Sequence, residues 1–130
     1  MYWEHDITVP SKRVPWGGAT GDGDFIIEGQ NLSGGTYVFA IASAEGVSPS
    51  KSVTGAAAGS EGVSASYDAN YVNEQGAQVG ATTLRVQIDE ASMETLGAGS
   101  FVYDLLVTPS GAPQRLICKG AFVVQAGVGD

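Results

Sequence analysis

One histidine, His5, and one cysteine, Cys118, occur among the 130 residues, and that scarcity limits the chemistry open to the chain. A serine-histidine-aspartate triad would have to take its base from His5, in the first few residues, where hydrogen-bond geometry is hard to hold. No hydrolytic centre and no catalytic residue are therefore expected. Asp22-Gly-Asp24 offers two carboxylates to a cation, but a calcium site needs about six oxygen ligands and no complete loop pattern follows, so the segment reads as a solvated turn. Asp89, Glu90 and Glu94 fall where the positive end of a helix favours acidic side chains, which accounts for them without acid–base work. No glycine cluster is followed by the Gly-Lys-Ser or Gly-Lys-Thr of a phosphate-binding loop. Asn31-Leu-Ser33 spells a glycosylation sequon, yet it sits in a turn signal and no export signal accompanies it. Cys118, on a strand, reads as a small apolar residue and not as a nucleophile. Tyr103-Asp104 is the pair to single out, since a tyrosine in a sheet can bury its ring while its hydroxyl bonds to backbone. No cofactor and no metal are expected.

The charge balance narrows the partners. Six basic against fourteen acidic residues give a formal net charge of −8. Phosphate backbones and anionic lipid both demand basic patches, so neither nucleic acid nor a membrane is expected as a partner. Lys12-Arg13 is the one place where two basic residues adjoin, and two charges make no binding stripe. The opening Met-Tyr-Trp-Glu-His-Asp lacks the basic start and apolar run of a signal peptide, and no membrane-length apolar stretch occurs. A lone cysteine rules out an intrachain disulfide and agrees with folding in a reducing cytoplasm.

The elements that must position these residues are strands. Hydrophobic residues make up 43% of the chain and charged residues 15%, enough to offset ordering entropy by burial in one domain. Nineteen glycines without a three-residue period point to many tight turns. Residues 24–28 read as a first strand, followed by a turn at Asn31-Leu-Ser-Gly-Gly and a strand from Thr36. Tyr37, Phe39 and Ile41 face one way there and Val38, Ala40 and Ala42 the other, which places that strand inside a sheet. Residues 45–62, rich in serine, glycine and alanine, read as a long mobile loop. Val63, Ala65 and Tyr67 alternate with serines, and Leu84, Val86 and Ile88 alternate cleanly as a half-buried strand. A short helix follows, with Asp89 as cap, Met93 and Leu96 three apart and Gly97 as the left-handed stop. Residues 100–108 and 114–125 form two strands around a hairpin loop at Pro109-Ser-Gly-Ala-Pro113, with Phe101, Tyr103, Leu105 and Val107 on one face of the first and Leu116, Cys118, Phe122 and Val124 on one face of the second. Gly120 marks a bulge or a close approach of backbones.

Residues 1–23 hold both tryptophans, Trp3 and Trp16, among prolines and glycines with no strand period, and read as an N-terminal arm. The burial tendency of tryptophan allows both to pack back on their own domain; the absence of periodicity points instead to ordering by a neighbouring subunit. Residues 24–130 then form the domain. Several short strands with a single crossover helix make an all-β, Ig-like antiparallel β-sandwich the expected fold.

Three stretches carry a resemblance: Asp24-Phe-Ile-Ile-Glu-Gly-Gln-Asn-Leu-Ser-Gly-Gly-Thr-Tyr-Val-Phe-Ala-Ile, Thr83-Leu-Arg-Val-Gln-Ile-Asp-Glu-Ala-Ser-Met-Glu-Thr-Leu, and Gly99-Ser-Phe-Val-Tyr-Asp-Leu-Leu-Val-Thr-Pro-Ser-Gly, completed by Gln114-Arg-Leu-Ile-Cys-Lys-Gly-Ala-Phe-Val-Val-Gln-Ala-Gly-Val. In this order the chain resembles small phage and prophage structural proteins with an immunoglobulin-like domain, from tail-fibre, baseplate or head-associated genes. Residues 1–23 and 45–80 lie outside the resemblance. It implies a non-enzymatic particle component, assembled in the host cytoplasm and located in the virion, that forms a homo-oligomer and contacts other phage structural proteins. Trp3, Trp16, Tyr67 and Tyr71 are the candidate partner contacts. The rival expectation is a carbohydrate-binding or adhesin-like module, in which Tyr67 and Tyr71 stack on sugar rings.

Overall fold

The computed structural model describes residues 3–18 and 22–127. Along the chain run β1 (Trp3–Glu4), β2 (Ile7–Val9), β3 (Trp16–Gly17), β4 (Asp24–Glu28), β5 (Thr36–Ala42), β6 (Lys51–Thr54), β7 (Gly62–Asp68), β8 (Ala81–Ile88), the helix α1 (Glu90–Leu96), β9 (Gly99–Thr108) and β10 (Arg115–Val124). The protein is mostly β, with two sheets. One has the order β1-β10-β9-β5-β6, with β2 also on β10; in the other β8 is flanked by β3, β4 and β7. Because β9 runs along one side of β10 from Arg115 to Val124, β1 and β2 share its other side, both parallel to it. By the same reasoning β7 takes one side of β8, and β3 and β4 lie end to end along the other.

The strands with the cleanest alternation form as expected. Leu84, Val86 and Ile88 are fully buried between half-buried Thr83, Arg85 and Gln87. Tyr37, Phe39 and Ile41 are buried, and their strand lies between β9 and β6 as its second apolar face requires. The core joins the two sheets through aromatic rings. Trp16 stacks on Phe39 at 5.5 Å between centroids and meets Phe122 edge-on at 5.2 Å, while Tyr103 stacks on Phe39 at 5.2 Å. Such pairs add about 0.5–1.5 kcal/mol each to the area they bury. Thr82 pins the turn before β5: its fully buried hydroxyl donates to the Gln30 carbonyl at 2.7 Å and accepts from the Leu32 N–H at 2.9 Å.

Several expectations need correction. Residues 3–17 are not an arm set apart from the domain, because β1 and β2 extend one sheet and β3 the other. Trp16 is 4% exposed in the core, so it cannot be a partner contact; an apolar slot between the sheets was available within its own chain. Residues 45–62 are not one loop: Lys51–Thr54 pairs with β5, with Val53 buried. The β9–β10 register shifts between Leu116 and Cys118, so Ile117 and Cys118 are both buried and Leu116 is only partly so. At α1 the buried Met93 faces the core, and Gly97, at φ 80°, ends the helix by donating its N–H to the Met93 carbonyl. The side chain of Asp89 makes no cap; it accepts from Gln87 Nε2 at 2.9 Å instead.

Gly120 shows why a strand interior can need glycine. A Cβ there would stand 2.1 Å from the His5 carbonyl oxygen, so the close approach of β1 to β10 depends on its absence.

Candidate interaction surface

The fold distributes the chemically suggestive residues without gathering them into one centre. His5 is exposed at the sheet edge, where its backbone N–H donates to the Lys119 carbonyl at 2.9 Å and its carbonyl accepts the Tyr103 hydroxyl at 2.6 Å. Tyr103 thus behaves as its sequence setting suggests, with ring in the core and oxygen on backbone, and its hydroxyl also lies 3.2 Å from Cys118 Sγ. Burial pushes both groups up: the Tyr103 hydroxyl far above the usual phenol range, and the Cys118 thiol above its ordinary value. A thiol so placed is a weak nucleophile. Asp24 is not part of a solvated turn but holds Arg85 through two hydrogen bonds of 2.8 and 2.9 Å.

Asp104 lines an open groove of about 550 Å³ on the outer face of the larger sheet, with Ala40, Val102 and Lys119. Desolvation raises its carboxyl, opposed by the charge of Lys119. A second cluster ties α1 to the sheets. Glu61 accepts from Lys51 Nζ at 3.2 Å and from the Asp89 N–H at 2.9 Å. Burial works against ionisation of Glu61, but the hydrogen bonds from Ser92, Asp89 and Lys51 outweigh it and hold the carboxyl below its ordinary value.

The partner candidates separate. Trp3 is 48% exposed, against the buried Trp16. Tyr67, 38% exposed, lies over Gly80, where its hydroxyl would be 2.5 Å from a Cβ. Tyr71 is half-buried beyond β7, its carbonyl accepting the Val79 N–H. Among the described residues no ring contact joins Tyr67 to Tyr71.

The surface residues that do come together line the seam between the sheets. On the β6–β7 side the sheets are joined, with a parallel bridge from Gly55 to Val63 and an Ala56 N–H to Val63 carbonyl bond of 2.9 Å. On the opposite side the β1–β2 edge faces the β3–β4 edge, and among the described residues no strand pairs with β4 there. Two clefts of about 320 and 330 Å³ lie along this seam, both lined by Trp3 and Ile26. A third, of about 510 Å³, shares His5 and Asp22 with the second and reaches Val14. Ile26 at 41% and Val14 at 39% are, with Trp3, among the few large apolar side chains left in water. Sequence reasoning found Trp3 but missed Ile26, whose place in an apolar run gave no sign that its strand has an open edge. No protein-family model, curated protein or solved structure matches the chain.

Proposed function

We propose that this chain is a non-enzymatic structural component of a phage or prophage particle, a rigid Ig-like domain that acts through contacts with other particle proteins. The assignment to a particle rests on the resemblance of residues 24–41, 83–96, 99–111 and 114–128 to small phage structural proteins. The observation that carries the contact role is the seam, where Trp3 and Ile26 remain exposed beside a strand edge that no described residue pairs with, and Val14 is exposed farther along it. Apolar side chains grouped beside an open edge are unfavourable in a lone soluble domain and mark a surface that another chain covers.

The strand pairing supports the Ig-like reading. In that arrangement strands B, E and D share one sheet, and G, F, C and C′ the other. Here β4, β8 and β7 occupy the first set, and β10, β9, β5 and β6 the second. Two features depart from the antibody pattern. No disulfide bridges the sheets, since Cys118 is free, and the tyrosine on the ninth strand bonds to His5 and not to a nearby turn.

The test is mass spectrometry of particles banded from the lysed culture of the encoding strain. Banding of the chain with particles at a fixed ratio to the major proteins is expected. Its retention in the soluble fraction, with particles free of it, would overturn the assignment.

A further inference from the structure

We infer that the seam takes an extended, basic segment of another protein, added as a strand along the outer edge of β4. The inference rests on the contact role proposed above, but not on the partner's being a particle protein.

Backbone geometry comes first. β4 pairs with β8 from Asp24↔Arg85 to Glu28↔Ala81, and among the described residues its other side carries no ladder. Alternate N–H and C=O groups of a strand point to opposite sides, so half of those on this five-residue strand face an open edge. Strand addition satisfies such groups directly. The seam beside the edge also has apolar clefts deep enough for side chains, with Trp3 forming a wall common to two of them.

Charge then selects the occupant. Glu4, Asp6, Asp22, Asp24 and Glu28 line the three clefts, against Arg115 as the one lysine or arginine there. Asp24 is balanced by Arg85, and Asp6 accepts the Ala121 N–H. Asp22 has interactions of its own, but with it left aside Glu4, Asp6 and Glu28 against Arg115 still leave the lining acidic, in a chain whose formal net charge is −8. A second copy is the poorer fit. Antiparallel pairing of two β4 strands about Ile26 would set Asp24 opposite Glu28 twice, and like charges placed opposite one another destabilise a sheet. A strand with lysine or arginine at alternate positions sets them on the face that carries Asp24, Ile26 and Glu28, and turns its intervening apolar side chains to the face of Phe25 and Ile27, into the seam.

The test uses the full chain and a synthetic peptide of roughly nine residues, long enough to overrun the edge, that alternates valine with lysine and threonine. A matched peptide with glutamate for lysine is the control. The lysine peptide is expected to shift amide resonances of β4 and β1, to move tryptophan emission to the blue through Trp3, and to bind more weakly as salt rises. Glu28→Lys should weaken it about five-fold, as expected for reversing one cross-strand charge pair. Ile26→Lys, at an exposed position, should weaken it too while leaving thermal unfolding nearly unchanged. Three results would overturn the inference: equal binding of the two peptides or binding of neither, resonance shifts confined to the Asp104 groove, or concentration-dependent self-association abolished by Ile26→Lys, which would make a second copy the occupant. Each leaves the particle-banding result untouched, so the two readings can fail separately.

Discussion

Replacing Trp16 by alanine tests whether the N-terminal segment belongs to the core. The indole is 4% exposed, stacks on Phe39 and meets Phe122 edge-on, so its removal opens a cavity where the sheets meet. Truncations of this kind cost about 3–5 kcal/mol. That is a fifth or more of the stability of an ordinary domain, about 5–15 kcal/mol. With a urea dependence of about 1–3 kcal/mol per molar, the midpoint should fall by roughly 2 M. Trp3→Ala is the internal control, since an exposed ring loses little and its midpoint should move by less than about 0.5 kcal/mol in free energy. Because the chain has two tryptophans, each variant also isolates the other's fluorescence. Trp3→Ala should leave a blue-shifted emission in dilute protein and Trp16→Ala a red-shifted one. Equal midpoints for the two variants, or red-shifted emission from Trp16 alone, would refute its place in the core and restore the arm as an appendage.

Gly120→Ala should destabilise the fold and loosen β1, because the added Cβ would stand 2.1 Å from the His5 carbonyl oxygen; faster amide exchange at His5 and Lys119, compared with the parent, checks this. Glu61 is held below its ordinary value near 4.5, so its contribution is complete above that pH and is lost as the pH falls through the lower folded value. Glu61→Gln should therefore lower the thermal midpoint at neutral pH, and the gap from the parent should close in acid. Asp104 has the opposite sign: its raised carboxyl favours the folded state at low pH, and that benefit goes as the pH rises through the folded value. Asp104→Asn should thus raise the thermal midpoint at neutral pH, an advantage that shrinks on acidification.

How much of the fold could be read in advance follows from strand length. The seven residues of β5 and eight of β8 each show three or more repeats of the two-residue period, and their buried faces fell where alternation put them. β1, β2 and β3 have two, three and two residues, too few for any period, and their partners β10 and β8 lie far along the chain. Lys51–Thr54 was hidden for a related reason: Val53 is its single buried residue, set among serine, threonine and glycine. Gly120 carried a local signal, since a glycine in a long strand called for a backbone passing close by, though not for which segment would pass.

The seam was less legible than the core because an open edge is a property of pairing, not of residues. Trp3 and Trp16 are the same residue type in the same proline- and glycine-rich segment, yet one lines a cleft and the other fills the centre. What separates them is the crossing from β2 to β3, which carries the chain from the edge of one sheet to the edge of the other. Ile26 and Ile27 make the same point at adjacent positions, since the pleat turns Ile27 into the core and Ile26 outward. Local pattern can predict that alternation. It cannot predict that, among the described residues, β4 is paired on one side alone, because that follows from β1 and β2 pairing with β10 and leaving the neighbouring edge open. The open edge beside Ile26 is therefore a consequence of long-range topology, and substitutions that close or widen the seam should change partner binding before they change stability.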